Sequence, residues 1–232
     1  MLVHGSISTG EESWQGQRSL ADRGFRLLVP DRRGYGDTAE EVGEDYLQDA
    51  EDVAELLGEG AHVVGQSYGG LAALLAAARC PGAVLSLAVV EPPAFALRRD
   101  APAVAGLVAD LEDLWGQTDL SDRAFLEAVL RLVGTPLDEI PDEMLEQWAG
   151  QVGPLRHSRP PWEAEIPLER LASTPFPKLV VSGGHHPAFD AVCDELTQEL
   201  GAERAVITGA GHEVQMVAEP FNEALLGLWR SV

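Results

Sequence analysis

Short runs of aliphatic and β-branched residues alternate along this chain with longer segments of helical period, and that alternation restricts the fold more than any other feature. The runs are LVH at 2–4, FRLLVP at 25–30, AHVVG at 61–65, VLSLAVV at 84–90, KLVVS at 178–182 and RAVIT at 204–208. Strands this uniformly apolar need cover on both faces, so the pattern predicts a three-layer α/β sandwich built on a mainly parallel sheet of about six strands. The intervening helices are expected near 11–23, 45–58, 68–79, 187–200 and 215–230. Asp45 is placed to cap one of them, Pro81-Gly82 closes another, and Gly24 and Gly201 act as helix stops.

The alternation stops between 96 and 170, where APAVAGLVADLEDLW, DRAFLEAVLRLVG and PDEMLEQWAGQV follow one another without a buried-strand pattern. That stretch reads as a helical insertion, a cap, so the expected organisation is a core of 1–95 and 171–232 interrupted by a cap of 96–170. At 232 residues with 45% hydrophobic content the chain is long enough for one core.

Gly65-Gln66-Ser67-Tyr68-Gly69-Gly70 lies between the run AHVV and the alanine-rich helix LAALLAAAR. A GxSxG between a strand and a helix is the nucleophile-elbow pattern, in which a serine sits on a tight turn and glycines permit backbone contact that a Cβ would block. The plainer reading is a turn serine capping a helix; the two flanks favour the elbow. A serine hydroxyl needs a base within hydrogen-bond reach, and of six histidines His212, in Gly209-Ala210-Gly211-His212 after the last strand run, stands at the carboxyl edge of the sheet, where catalytic groups gather. An oxyanion hole would come from the Tyr68 N–H and from the Ser6 N–H, with Gly5 allowing the turn after Leu2-Val3-His4. His4 is then a structural residue.

HG at 4–5, DRRGYGDT at 31–38, GQSYGG at 65–70 and GAGH at 209–212 stand in the order of the α/β-hydrolase superfamily, which the chain resembles throughout except in the insertion. The resemblance implies a helical cap after the strand at 84–90 and a Ser-acid-His triad. In the family's D-x-R-G-x-G loop, matched by Asp31, Arg33, Gly34 and Gly36, the role implied is a structural turn beside the site. Relatives carry a leading hairpin before the HG strand, whereas here Met1 stands three residues ahead of His4. The expected sheet therefore lacks that hairpin.

The triad acid is the point of departure. Where many relatives place an aspartate after the penultimate strand, this chain has Gly183-Gly184-His185-His186-Pro187. The candidates are Glu91, an acid at the end of an apolar strand, then Asp190, with Asp194 behind both. Glu91 could otherwise be a salt-bridged hinge carboxylate, and His186 a cap for the helix starting at Pro187. No metal site is expected, because no carboxylate or cysteine accompanies the histidine pair at ligand spacing. No cofactor is expected either. Trp115, Phe125, Leu130, Met144, Trp148 and Trp162 are the cap residues that could line a substrate pocket, although more than half are expected to pack the cap on itself.

Together these residues predict a carboxylesterase-like serine hydrolase acting on a small to medium neutral or apolar acyl substrate. The rivals are a non-hydrolytic relative, such as a natural-product cyclase or metal-free peroxidase, and a non-catalytic ligand-binding protein. With 38 acidic and 16 basic residues the formal charge is −22, which disfavours nucleic acid and anionic membranes as partners. No run is long enough to span a membrane and no signal-peptide pattern opens the chain, so a cytoplasmic enzyme is expected, with a homodimer compatible. Cys80 and Cys193 lie in apolar helix-like stretches and are expected to be free thiols.

Overall fold

Period-two alternation in the central strands sends neighbouring side chains to opposite faces of the sheet, and each face has its own core. Val63, Leu87, Val89 and Val180 join one buried cluster, whereas Val64, Ala88, Val90 and Val181 join another on the far side. The computed structural model describes residues 1–38 and 42–231. Among these, five strands form one sheet in the order β1 (Leu2–Val3), β2 (Ala61–Gln66), β3 (Val84–Val90), β4 (Lys178–Ser182) and β5 (Glu203–Val206). Every neighbouring pair is parallel, in a register that sets Leu2 beside Val64, Gln66 beside Val90 and Val90 beside Val181.

The expected strand at 25–30 does not form. The segment runs beside β1 with a single backbone bond, from the Leu2 N–H to the Leu28 carbonyl at 2.8 Å. One bond does not make a ladder, so the sheet has five strands rather than six. The helix expected over 11–23 is also broken: it divides into α1 (Gly10–Ser13), held by a capping box between Thr9 and Glu12, and a 3₁₀ helix over Gln15–Arg23.

The other core helices follow the sequence closely. Asp45 caps α2 (Tyr46–Leu56) through the Leu47 N–H, and α3 (Ser67–Arg79) buries all of its alanines. Between β3 and β4 run α4 (Pro102–Trp115), α5 (Asp122–Leu132), α6 (Asp142–Ala149), α7 (Gly153–Arg156) and α8 (Leu168–Ala172). After β4 come α9 (Pro187–Leu200), capped by His186 and stopped by left-handed Gly201, and α10 (Glu219–Trp229). One face of the sheet is covered by α2, α3, α8 and α9. Trp14, Leu20 and the apolar side of α10 cover the other.

The insertion has its own cluster, built from Leu114, Phe125, Leu126, Val129, Leu130, Leu145, Ala149, Val152 and Leu155. Yet α4 gives Val104, Leu107, Val108 and Leu111 to the main core, as does Trp162. The segment between β3 and β4 is therefore joined to the main core through α4. Both cysteines are free, Cys193 buried and Cys80 half-buried. Among the described residues no helix is long and apolar enough to cross a membrane.

Candidate active site

β2 ends at Gln66 and α3 begins at once, a reversal that forces Ser67 into left-handed backbone at φ 49°. The neighbouring glycines are required sterically. A Cβ at Gly69 would stand 2.2 Å from the His4 carbonyl oxygen, and one at Gly65 would stand 2.5 Å from that of Gly69. The elbow thus packs backbone to backbone against β1, with the half-buried Ser67 hydroxyl at the N-terminus of α3.

Three chain segments converge there. The Ser67 hydroxyl donates to His212 Nε2 at 3.0 Å, and His212 Nδ1–H donates to Glu91 Oε2 at 2.7 Å. Glu91 directly follows β3, is wholly buried and also sits in left-handed backbone at φ 44°. Its other oxygen, Oε1, accepts the Gly183 N–H at 2.7 Å. Burial alone would push the Glu91 carboxyl up, but contacts from His185 and His212, the His212 charge and the Gly183 N–H hold it down to about 2. The loops after β4 and β5 meet where a Cβ at Gly183 would stand 2.1 Å from the Gly211 carbonyl oxygen, which sets His212 under Glu91.

Asp190, the alternative acid, points elsewhere: its carboxylate accepts from Ser182 Oγ at 2.6 Å and pairs with Arg204 at 3.2 Å. Asp194 also pairs with Arg204. The backbone N–H groups of Ser6 and Tyr68 are taken by no other group among the described residues, while the Ser6 hydroxyl donates to Glu44. His4 is buried beside them. Its Nδ1–H donates to the Gly5 carbonyl and its Nε2 accepts the Arg32 N–H, so it braces the loop.

Several residues around the site escaped the sequence reading. Arg32, rather than the family-matched Arg33, is the buried cation of the DRRGYGDT loop: it donates to the His4 and Gly5 carbonyls and pairs with Glu44 and Asp49. Burial opposes its charge, but the two carboxylates more than compensate and raise its pKa. Arg33 pairs with Asp52 at the surface. Glu44 also accepts the Tyr35 hydroxyl, and nothing in GEDY marks it as buried. The side chain of Gln66 spans to the His212 carbonyl and Glu213 at 3.4 Å.

His185 is the other omission. Its Nε2–H donates to the Val133 carbonyl of the cap at 2.9 Å, and its Nδ1 stands 3.3 Å from Glu91 Oε1, an ion-pair approach outside hydrogen-bond geometry. The sequence offered no carboxylate near His185-His186, yet the fold supplies Glu91. Donor atoms of Glu91, His185 and His212 all lie within 4.8 Å of one another. Among them Glu91 Oε2 is already hydrogen-bonded to His212 and Oε1 to Gly183, an arrangement that protons satisfy.

Of the cap aromatics, Trp115 packs edge-on against both Phe125 and Trp162, with ring centroids 5.0 and 5.5 Å away. Phe125 and Leu130 are buried in the cap's cluster and Trp148 packs against it. Trp162 lies in the main core, and Met144 is exposed.

A serine hydroxyl hydrogen-bonded to an imidazole whose second nitrogen is held by a buried carboxylate is an arrangement able to activate a nucleophile. The dihydrolipoyllysine-residue acetyltransferase component of the acetoin cleaving system of Cupriavidus necator is 31% identical over 221 residues, which is 89% of this chain. The chain spans 56% of that relative's length. In fold alone, the chain is similar to Est816, described as an N-acyl homoserine lactone degrading enzyme (TM-score 0.69, 23% identity, 97% of this chain and 91% of that one). It is likewise similar to carboxylesterase CesB from Bacillus subtilis (TM-score 0.69, 20% identity, 98% and 81% covered). Residues 1–224 match the Alpha/beta hydrolase family, and the chain belongs to that family.

Proposed function

We propose that this protein is a serine hydrolase that cleaves an ester, or a closely related acyl bond, of a small to medium neutral substrate. One observation carries the reading: an unbroken chain of short contacts from the Ser67 hydroxyl through both nitrogens of His212 to the buried Glu91 carboxylate, 3.0 and 2.7 Å long. Ser67 attacks the carbonyl carbon while His212 Nε2 takes its proton, and the imidazolium returns that proton to the leaving alkoxide. Glu91 orients His212 and stabilises its charge. The Ser6 and Tyr68 N–H groups receive the oxyanion. Water then repeats the sequence on the acyl-enzyme.

Ester or lactone substrates are favoured because the structural neighbours include proteins described as a carboxylesterase and a lactone-degrading enzyme. The charge of −22 argues for neutral or cationic acyl groups over anionic ones. A panel of p-nitrophenyl esters of increasing acyl length, run beside a fluorophosphonate probe, tests the reading. Labelling and turnover are expected in the wild type and neither in Ser67→Ala. Turnover that survives Ser67→Ala would overturn it.

A further inference from the structure

His185 stands between two acceptors. Glu91 Oε1 faces Nδ1 at 3.3 Å and the Val133 carbonyl accepts from Nε2 at 2.9 Å. A neutral imidazole that spends its one N–H on Val133 turns the Nδ1 lone pair toward the Glu91 carboxylate, lone pair against anion at 3.3 Å, whereas an imidazolium turns a positive charge toward it. We propose that His185 is a positioning residue, an imidazolium that shares the Glu91 carboxylate with His212 from the opposite oxygen and ties that carboxylate to the cap through Val133. The proposal rests on the catalytic reading of Ser67, His212 and Glu91.

The surroundings suit a cation there. Glu91 reaches it from the end of β3 and Asp190 from α9, and both favour its charge. His186, 6.1 Å away ring to ring, is pushed down by burial and by His185 itself, so it adds no second cation. Phe189 lies parallel to the ring at 6.3 Å, and His212 lies 6.3 Å away on the far side of Glu91. From the cap the facing groups are the Val133 carbonyl and Gly134, where a Cβ would stand 3.0 Å from the His185 ring. Gly134 is left-handed at φ 79°, so the chain turns directly over His185 as it leaves α5. The Glu91 contact raises the His185 pKa against the opposing effect of burial.

A cation beside Glu91 offsets part of the negative field that the acid presents to His212, the field that favours charge on that imidazole. Removing it has a defined sign. In His185→Asn and His185→Ala the acid limb of the kcat/KM profile should move to higher pH by roughly half a unit to one unit, from Coulomb's law at this separation and an intermediate dielectric. Below the limb, kcat/KM should fall about three- to tenfold as a result. KM should stay within about twofold. A purely structural histidine would lower stability and leave the limb where it is.

The experiment pairs that profile, measured with p-nitrophenyl acetate, with an NMR titration of His185 in protein carrying ¹³C-labelled histidine. In the wild type the ring should titrate above the ordinary histidine range, and Glu91→Gln should bring it down by about one unit. An acid limb unmoved in both His185 variants, or a His185 titration indifferent to Glu91→Gln, would overturn the proposal. If hydrolysis were absent or independent of Ser67, the catalytic reading would fail by itself, and the NMR titration would still decide whether His185 is the partner of Glu91.

Discussion

Glu91 has no exposed surface, a left-handed backbone and both oxygens in contact with other groups, so its carboxylate is held in one orientation. Replacing it with glutamine keeps the shape but removes the charge that stabilises the imidazolium, and kcat should fall by about 10²–10⁴-fold. Asp190→Asn should cost less than about tenfold, because Asp190 serves Ser182 and Arg204. Steady-state kinetics at equal folded fraction compare the two, and the reverse ranking would move the acid to α9. The same carboxylate makes stability depend on pH. Held down to about 2 in the fold, below the ordinary value of 4.5, it contributes fully above 4.5, and that contribution is lost as pH falls toward 2. The shift corresponds to roughly 3 kcal/mol. His4, driven well below its ordinary value of 6.5 by burial and by Arg32, adds a loss that begins as pH falls below 6.5. Urea midpoints measured from pH 7 to 3 should decline in those two stages.

Two helical glycines show how differently the same substitution acts on different elements. At Gly69 in α3 an added methyl meets the His4 carbonyl oxygen, just past β1, at 2.2 Å and that of Val3 at 2.7 Å, and main chain cannot readily yield. Gly69→Ala should destabilise by about 1–3 kcal/mol and displace the elbow, lowering kcat as well. Gly227, exposed in α10 with open space around it, carries no such constraint. Gly227→Ala should stabilise by about 0.5–1 kcal/mol through helix propensity alone. Chemical denaturation of the two variants checks both signs. In the cap, Phe125→Ala should cost about 3–5 kcal/mol, because the ring is buried in the insertion's own cluster and stacks edge-on with Trp115.

At the scale of the whole molecule, charge and internal bracing pull in opposite directions. A formal charge of −22 makes the folded chain repel itself, so raising salt from about 10 mM to about 150 mM should raise Tm despite weakening surface pairs such as Arg33–Asp52. The buried Arg32 group is insulated from that screening. It joins the β1 turn to Glu44 and to Asp49 in α2, and Arg32→Met should cost about 3–5 kcal/mol by leaving two buried carboxylates without their cation. Differential scanning calorimetry across salt concentrations separates the two effects.

The turn at Ser67 and the candidate base His212 could be picked out in the sequence because their signals are local: a strand, a GxSxG turn and a helix in immediate succession, and a glycine-rich turn before His212. The layer order, α2 and α9 were legible for the same reason, since period and capping residues are local signals. Glu91 could be ranked first because an acid ending an apolar strand is costly to bury without a partner. Its contact with His212 joins residues 121 positions apart, and only the packing of the loops after β4 and β5 decided it. The segment at 25–30 reads as a strand by composition, but a strand is defined by repeated bonds to a neighbour, and in the fold this segment meets β1 through one bond, from the Leu2 N–H to the Leu28 carbonyl. Arg32, Glu44 and His185 carry no local mark of their burial. Their roles arise from which charges the fold shuts away from water together, and a linear pattern of residues does not encode that.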